Sequence, residues 1–148
     1  MNRDFAEMLA ALSAAGAEFL LVGAHALAAH GVVRATGDLG VWIRPTPENA
    51  SRVWRALLAF GAPLQELTEK DLSTAGLVFQ IGVAPYRIGL LTSIDGVSFD
   101  DAWRDRASVR VEGQEIPLIS REDFLRNKRA TGRLRDLGDA EELEKLVT

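Results

Sequence analysis

Apolar residues recur along this chain in distinct rhythms, and each rhythm predicts a different element. Phe5, Met8, Leu9 and Leu12 fall at three- and four-residue intervals, the mark of an amphipathic helix, and Gly16 stops it. Phe19 to Val22 is a short continuous apolar run, which predicts a buried strand. Gly23 then turns the chain into a short helix, Ala24 to His30, closed by Gly31. A second buried strand is predicted over Leu39 to Arg44. The next helix has the clearest start: Thr46 as N-cap, Pro47 at the first helical position and Glu48 in the first turn. Ala50, Val53, Trp54, Leu57 and Leu58 form its inward stripe, and Gly61 ends it.

Residues 62–75 are polar and irregular, with a short helical turn near Thr68 to Leu72. Leu77 to Val83 and Tyr86 to Thr92 read as strands on either side of a turn at Pro85. Strands so close in sequence form a hairpin, which makes the sheet mixed. Ser98 caps a short helix reaching Arg106, and Ala107 to Val111 and Gln114 to Leu118 form a hairpin around Glu112-Gly113. Ser120, with Asp123 three residues on, opens a helix through about Ala130 that Gly132 interrupts. Asp136 to Leu146 makes a last helix with Leu137, Leu143 and Leu146 inward. The resulting class is α+β (α/β): a mixed, mostly antiparallel sheet flanked by helices, with a helical C-terminus.

Composition narrows the function classes. At 148 residues the chain reads as one domain, with a sheet-containing core over 1–118 and C-terminal helices over 119–148. Hydrophobic residues at 47% and charged residues at 26% argue against disorder. A net charge of −4 gives no global attraction to nucleic acid or an anionic membrane. Cysteine is absent, which excludes disulfides, thiolate catalysis and Cys-ligated zinc and fits a cytoplasmic location. The longest apolar run, Phe19 to Ala29, is too short to span a bilayer, and Glu7 and Glu18 stand where a signal peptide would carry basic residues. A membrane partner is therefore not expected.

The candidate chemistry centres on residues 36–43, Thr-Gly-Asp-Leu-Gly-Val-Trp-Ile. Strand side chains alternate faces, so positions 38 and 40 point the same way. An Asp-x-Asp here would set two carboxylates side by side, suited to a pair of divalent cations. Asp38 is present and position 40 is glycine. Upstream, the strand–glycine–helix junction at Gly23 leaves backbone N–H groups that could meet an anion, although such junctions also serve packing alone.

Three blocks in order resemble the DNA polymerase β-like nucleotidyltransferase superfamily, in particular its small bacterial members: minimal nucleotidyltransferases and abortive-infection or toxin–antitoxin type proteins. The first is Phe19-Leu-Leu-Val-Gly-Ala-His-Ala-Leu-Ala-Ala-His-Gly31, with Gly23-Ala24 where the family has Gly-Gly or Gly-Ser. The second is Arg34-Ala-Thr-Gly-Asp-Leu-Gly40, where the family pattern is Arg-x-Thr-x-Asp-hydrophobic-Asp. In the third, Arg87 to Trp103, relatives carry a further Asp at the position of Gly89. Downstream, Asn127 to Asp139 resembles the family's basic helical segment. The resemblance implies a nucleoside triphosphate and Mg²⁺ as ligands. It implies Asp38 as the catalytic and metal-binding acid, with Gly23, Ala24, His25, Arg34, Thr36, Lys128 and Arg133 at the nucleotide. The acceptor would be RNA, a protein or a small hydroxylated molecule.

Of the three acids the family uses, only Asp38 carries over; Gly40 and Gly89 offer no side chain. The expected function is thus a nucleotidyltransferase-like protein with a degraded two-metal site, inactive or weakly active, that retains nucleotide or partner binding. The alternatives are an active Mg²⁺-dependent enzyme and an antitoxin-like interaction module, which Trp42 and Trp103 on one exposed patch would support. Asp95, Asp100 and Asp101 follow the third block as ordinary turn and helix-start acids rather than replacements. His25 and His30, five residues apart on one helix, do not share a face for joint ligation. Arg121, Lys128, Arg129, Arg133 and Arg135 concentrate positive charge late in an acidic chain, and Asp136 and Asp139 either order it or cap the final helix.

Overall fold

The computed structural model describes residues 1–33, 37–82 and 86–146. Among these residues six helices, α1 (Arg3–Ala14), α2 (Gly23–Ala29), α3 (Pro47–Phe60), α4 (Phe99–Arg104), α5 (Arg121–Thr131) and α6 (Leu134–Glu144), flank one sheet. Its strands are β1 (Phe19–Val22), β2 (Leu39–Ile43), β3 (Val78–Ile81), β4 (Ile88–Leu91), β5 (Ala107–Val111) and β6 (Gln114–Leu118). The strand order is β3-β4-β2-β1-β6-β5. The β1–β2, β3–β4 and β5–β6 pairs are antiparallel, and β2–β4 and β1–β6 are parallel. The sheet is therefore mixed and mostly antiparallel, as the closely spaced strand pairs predict.

Local sequence explains where the helices begin. The Asn2 side chain accepts from the N–H groups of Asp4 and Phe5 at the start of α1, and Thr46 accepts from the Asn49 N–H at the start of α3. Gly61, at φ 86°, closes α3 in the left-handed region that glycine tolerates. The polar stretch after it holds a 3-10 turn, Glu69–Ser73, where Thr68 and Asp71 cap each other reciprocally.

Alternation along the strands gives the sheet two unlike faces. Leu39, Val41 and Ile43 of β2 lie with Ile88 and Leu90 of β4 on one face, all buried. This face meets the 3-10 turn, which packs on α3, and α3 packs in turn on α1. The core includes Phe5, Met8, Leu9 and Leu12 of α1 and Val53 and Leu57 of α3. Burial of each such side chain contributes about 1.5–3 kcal/mol relative to exposure. The inward stripe of α3 differs from expectation: Ala56 is buried, Trp54 is half-buried and Leu58 is 57% exposed.

One buried amide ties the first fifty residues together. Asn49, 1% exposed, accepts from the Glu18 N–H through Oδ1 at 2.7 Å. Its Nδ2 donates to the carbonyls of Glu18 at 2.9 Å and Arg44 at 3.0 Å. The entry to β1 and the exit of β2 are thus held by a side chain from α3, with every polar atom of the amide used. Arg44 adds a second clasp, pairing with Glu18 at 2.8 Å and with Asp100, its guanidinium 4.7 Å from the Phe99 ring centroid.

Candidate functional site

The register of β2 against β4 builds the site. These strands run parallel with Gly40 and Gly89 as direct partners. β3 continues the row with Gln80 opposite Gly89, and β1 with Val22 opposite Gly40. The row Gln80–Gly89–Gly40–Val22 crosses four strands on the face opposite α3, and both glycines lie there without a side chain. Neither needs glycine for its backbone angles, since both fall outside the positive-φ positions. A Cβ on Gly89 would meet only the Leu39 carbonyl oxygen at 3.8 Å, while one on Gly40 would press the Val22 side chain and carbonyl at 3.3 Å.

Asp38 lies two residues before Gly40, and Arg87 two before Gly89, so the same alternation brings them side by side. The Arg87 N–H donates to Asp38 Oδ1 at 3.2 Å, and the Arg87 Nε lies 3.7 Å from that oxygen. The acid therefore has a cation against it. Among the described residues, no group of three or more His, Cys, Asp or Glu side chains could hold a metal ion.

A cleft runs over this face in two connected parts. One, of about 290 Å³, is lined by Ala24, Asp38, Gln80, Arg87, Gly89 and Arg135 among others. The other, of about 260 Å³, is lined by Val22, Ser93, Asp95, Lys128, Thr131 and Arg133 among others. Gly23, Gly40 and Leu91 border both parts. The turn after β4 docks on α5: Asn127 Nδ2 donates to the Asp95 carbonyl at 2.9 Å. Gly96, at φ 80°, sits so near α5 that a Cβ would lie 2.6 Å from the Ala130 methyl. This close approach sets Asp95 beside the basic end of α5.

Asp136, in the first turn of α6, organises that basic end. The residue is 6% exposed, and its carboxylate accepts from Lys128 Nζ at 3.1 Å, Thr131 Oγ1 at 2.7 Å and Arg133 Nε at 2.7 Å. Burial alone would raise its pKa, but the hydrogen bonds from Thr131, Lys128 and Arg133 outweigh it and hold the carboxyl below the usual range. Lys128 and Arg133 are thereby fixed at the cleft, with Arg135 on the other part of its lining. The remaining late cations face elsewhere: Arg129 pairs with Glu144, and Arg121 donates to the Leu143 carbonyl at 3.4 Å.

The other sequence candidates separate. Gly23 and Ala24 border the cleft, Gly23 at φ 71° as the first residue of α2. His25 does not line either part. Its ring packs edge-on against Phe5 of α1 at 5.5 Å, and burial, then the N-terminal amino group, hold its pKa below the ordinary value. Arg34 and Thr36 lie outside the described residues, as does the expected turn at Pro85. Asp100 and Asp101 are engaged by Arg44 and Arg104, away from the row of glycines. The aromatic patch considered for an interaction module is not formed: Trp42 is 1% exposed, and Trp103 stacks at 5.7 Å on Phe99. Arg87 and Gln80 were missed as candidates. Alternation marks Arg87, since position 87 shares the face of 89, whereas Gln80 is placed by the β3–β4 register opposite Gly89.

No protein-family model matches the chain, and no curated protein sequence does. A solved structure does: that of the protein TM1012 from Thermotoga maritima, described provisionally as a nucleotidyltransferase. It superposes with a TM-score of 0.62 at 16% sequence identity, covering 97% of this chain and 89% of the other. At that identity the likeness concerns architecture. The chain has a nucleotidyltransferase-like fold.

Proposed function

We propose that this chain is a nucleotidyltransferase-like protein whose two-metal site is degraded, inactive or weak in transfer, and retaining nucleotide or partner binding. One observation carries the reading. Gly40 and Gly89 are neighbours across β2 and β4, at the positions where the resembling superfamily keeps acids. Two divalent ions roughly 3.5–4 Å apart need shared carboxylates. The paired glycines supply only backbone, and the remaining Asp38 is met by Arg87, so the described residues do not fit a metal pair. Mg²⁺ retains at most this one carboxylate, which holds it weakly.

The test is incubation with labelled nucleoside triphosphates, Mg²⁺ or Mn²⁺, and an RNA or protein acceptor. No transfer is expected. Turnover that disappears in Asp38→Ala would instead identify an active enzyme. Installing both acids, Gly40→Asp with Gly89→Asp, should create Mg²⁺-dependent transfer that the present chain lacks.

A further inference from the structure

Exchanging two carboxylates for glycines changes the local charge of a site by +2, the charge of one magnesium ion. In this cleft that change falls among four cations: Arg87 and Arg135 in one part, Lys128 and Arg133 in the other. Among the described residues the acids lining it are Asp38 and Asp95, so the described cations exceed them by two on a chain whose net charge is −4. Asp136 lies beneath, buried, and has its hydrogen bonds filled by Thr131, Lys128 and Arg133. It uses one of three ammonium donors on Lys128 and one of five guanidinium donors on Arg133, leaving the rest for a ligand. Arg135 is exposed and forms no ion pair with a described residue. Between the cations the floor at Gly40 and Gly89 is bare backbone, so these two positions set no carboxylate against a bulky anion and the nearby acid Asp38 is met by Arg87.

We propose that the cleft takes the polyphosphate of a nucleotide directly on Arg87, Lys128, Arg133 and Arg135 without a divalent cation, and that Mg²⁺ weakens this binding. The proposal rests on the reading of the paired glycines given above. Where carboxylates line a site, a metal must screen them from the phosphates, so metal strengthens binding. Where cations line it, Mg²⁺ neutralises the ligand and competes with the protein for it. The sign of the metal effect therefore separates the two kinds of site.

The experiment is calorimetric titration of the full chain with ATP, AMP and inorganic tripolyphosphate, each in EDTA and in excess Mg²⁺. ATP and tripolyphosphate should bind in EDTA within a few-fold of each other, AMP more weakly, and Mg²⁺ should loosen the first two by about tenfold. Arg135→Gln and Arg133→Gln should each weaken ATP in EDTA several-fold, with circular dichroism confirming that the variants fold. Gly40→Asp with Gly89→Asp should reverse the metal effect. Binding of ATP only in Mg²⁺, or ATP binding in EDTA without tripolyphosphate binding, overturns the proposal. So does an affinity in EDTA that neither arginine variant alters. Absence of all binding together with absence of transfer overturns this inference and leaves the degraded metal site standing. Mg²⁺-dependent binding accompanied by transfer overturns both.

Discussion

Gly40 and Gly89 face each other across β2 and β4, yet their surroundings would treat a new side chain differently. The space above Gly89 is open, with one carbonyl oxygen at 3.8 Å from a Cβ, whereas Val22 approaches a Cβ on Gly40 to 3.3 Å. Gly89→Ala should therefore raise stability by about 0.5 kcal/mol, because it removes unfolded-chain freedom without strain. Gly40→Ala should lose that gain to the Val22 contact and lie at or below wild type. Urea midpoints of the two variants check the difference, and equal shifts would contradict the register-based account.

Removing the Asp136 carboxylate should leave Lys128 partly buried without its partner. Asp136→Ala is expected to cost about 2–3 kcal/mol, less than a fully enclosed pair because Arg133 reaches solvent. The companion variant Asp136→Asn keeps the volume and loses the charge. Denaturant unfolding of both variants measures the effect, and a cost under about 0.5 kcal/mol would mean that the carboxylate does not organise the cations.

The same residue sets part of the acid response. Its folded pKa is depressed, so the unfolded chain binds the proton more readily. The stability it contributes is complete above the unfolded-state value of about 3.9 and declines as pH falls through the lower folded value. Asp136→Asn should flatten the stability profile in that acid window and leave the neutral range parallel to wild type. A steep acid limb unchanged in the variant would contradict this.

His25 acts higher on the pH scale in the same direction. Burial disfavours its charged form, so the folded protein binds fewer protons than the unfolded one near the ordinary histidine pKa. Stability should fall as pH drops through about 6.5, the unfolded value, towards the lower folded one. His25→Leu, which keeps an apolar group against Phe5, should remove this contribution. Thermal melts from pH 7.5 to 5 compare the slopes.

Asn49→Ala should destabilise by about 1–3 kcal/mol, since it strands the Glu18 N–H, while the carbonyls of Glu18 and Arg44 keep the backbone N–H groups of Arg44 and Thr46. Asn49→Asp should be no better than alanine. A carboxylate can accept from Glu18 but would face the carbonyls of Glu18 and Arg44 with no proton to offer.

Much of the scaffold was legible because its punctuation is local. Thr46, Pro47 and Gly61 bound α3 as expected, and the β5–β6 hairpin matches the run of residues on each side of Glu112-Gly113. Helix α6 was harder. It starts at Leu134, and its buried side is Asp136, Asp139, Ala140 and Leu143, which is helical spacing with two acids in inward places. Of the leucines expected inward, Leu143 is buried, while Leu137 is 39% exposed and Leu146 38% exposed. The strands around the expected Pro85 turn end sooner than their apolar runs, at Ile81 and from Ile88. In the site, the pairing of Asp38 with Gly40 followed from strand alternation. Lys128 and Arg133 came from the family resemblance and line the cleft, whereas the place of Arg135 depends on how α6 docks, which residue spacing does not encode. Arg87 is within reach of alternation, two residues before Gly89 on the same face.

The amide of Asn49 also gives the protein an internal clock. The Glu18 amide proton is bonded to a helix side chain rather than to a neighbouring strand, so fraying of the sheet edge does not release it. Its exchange with deuterated solvent requires α3 to lift from the ends of β1 and β2. The rate at that single proton reports how often this layer opens.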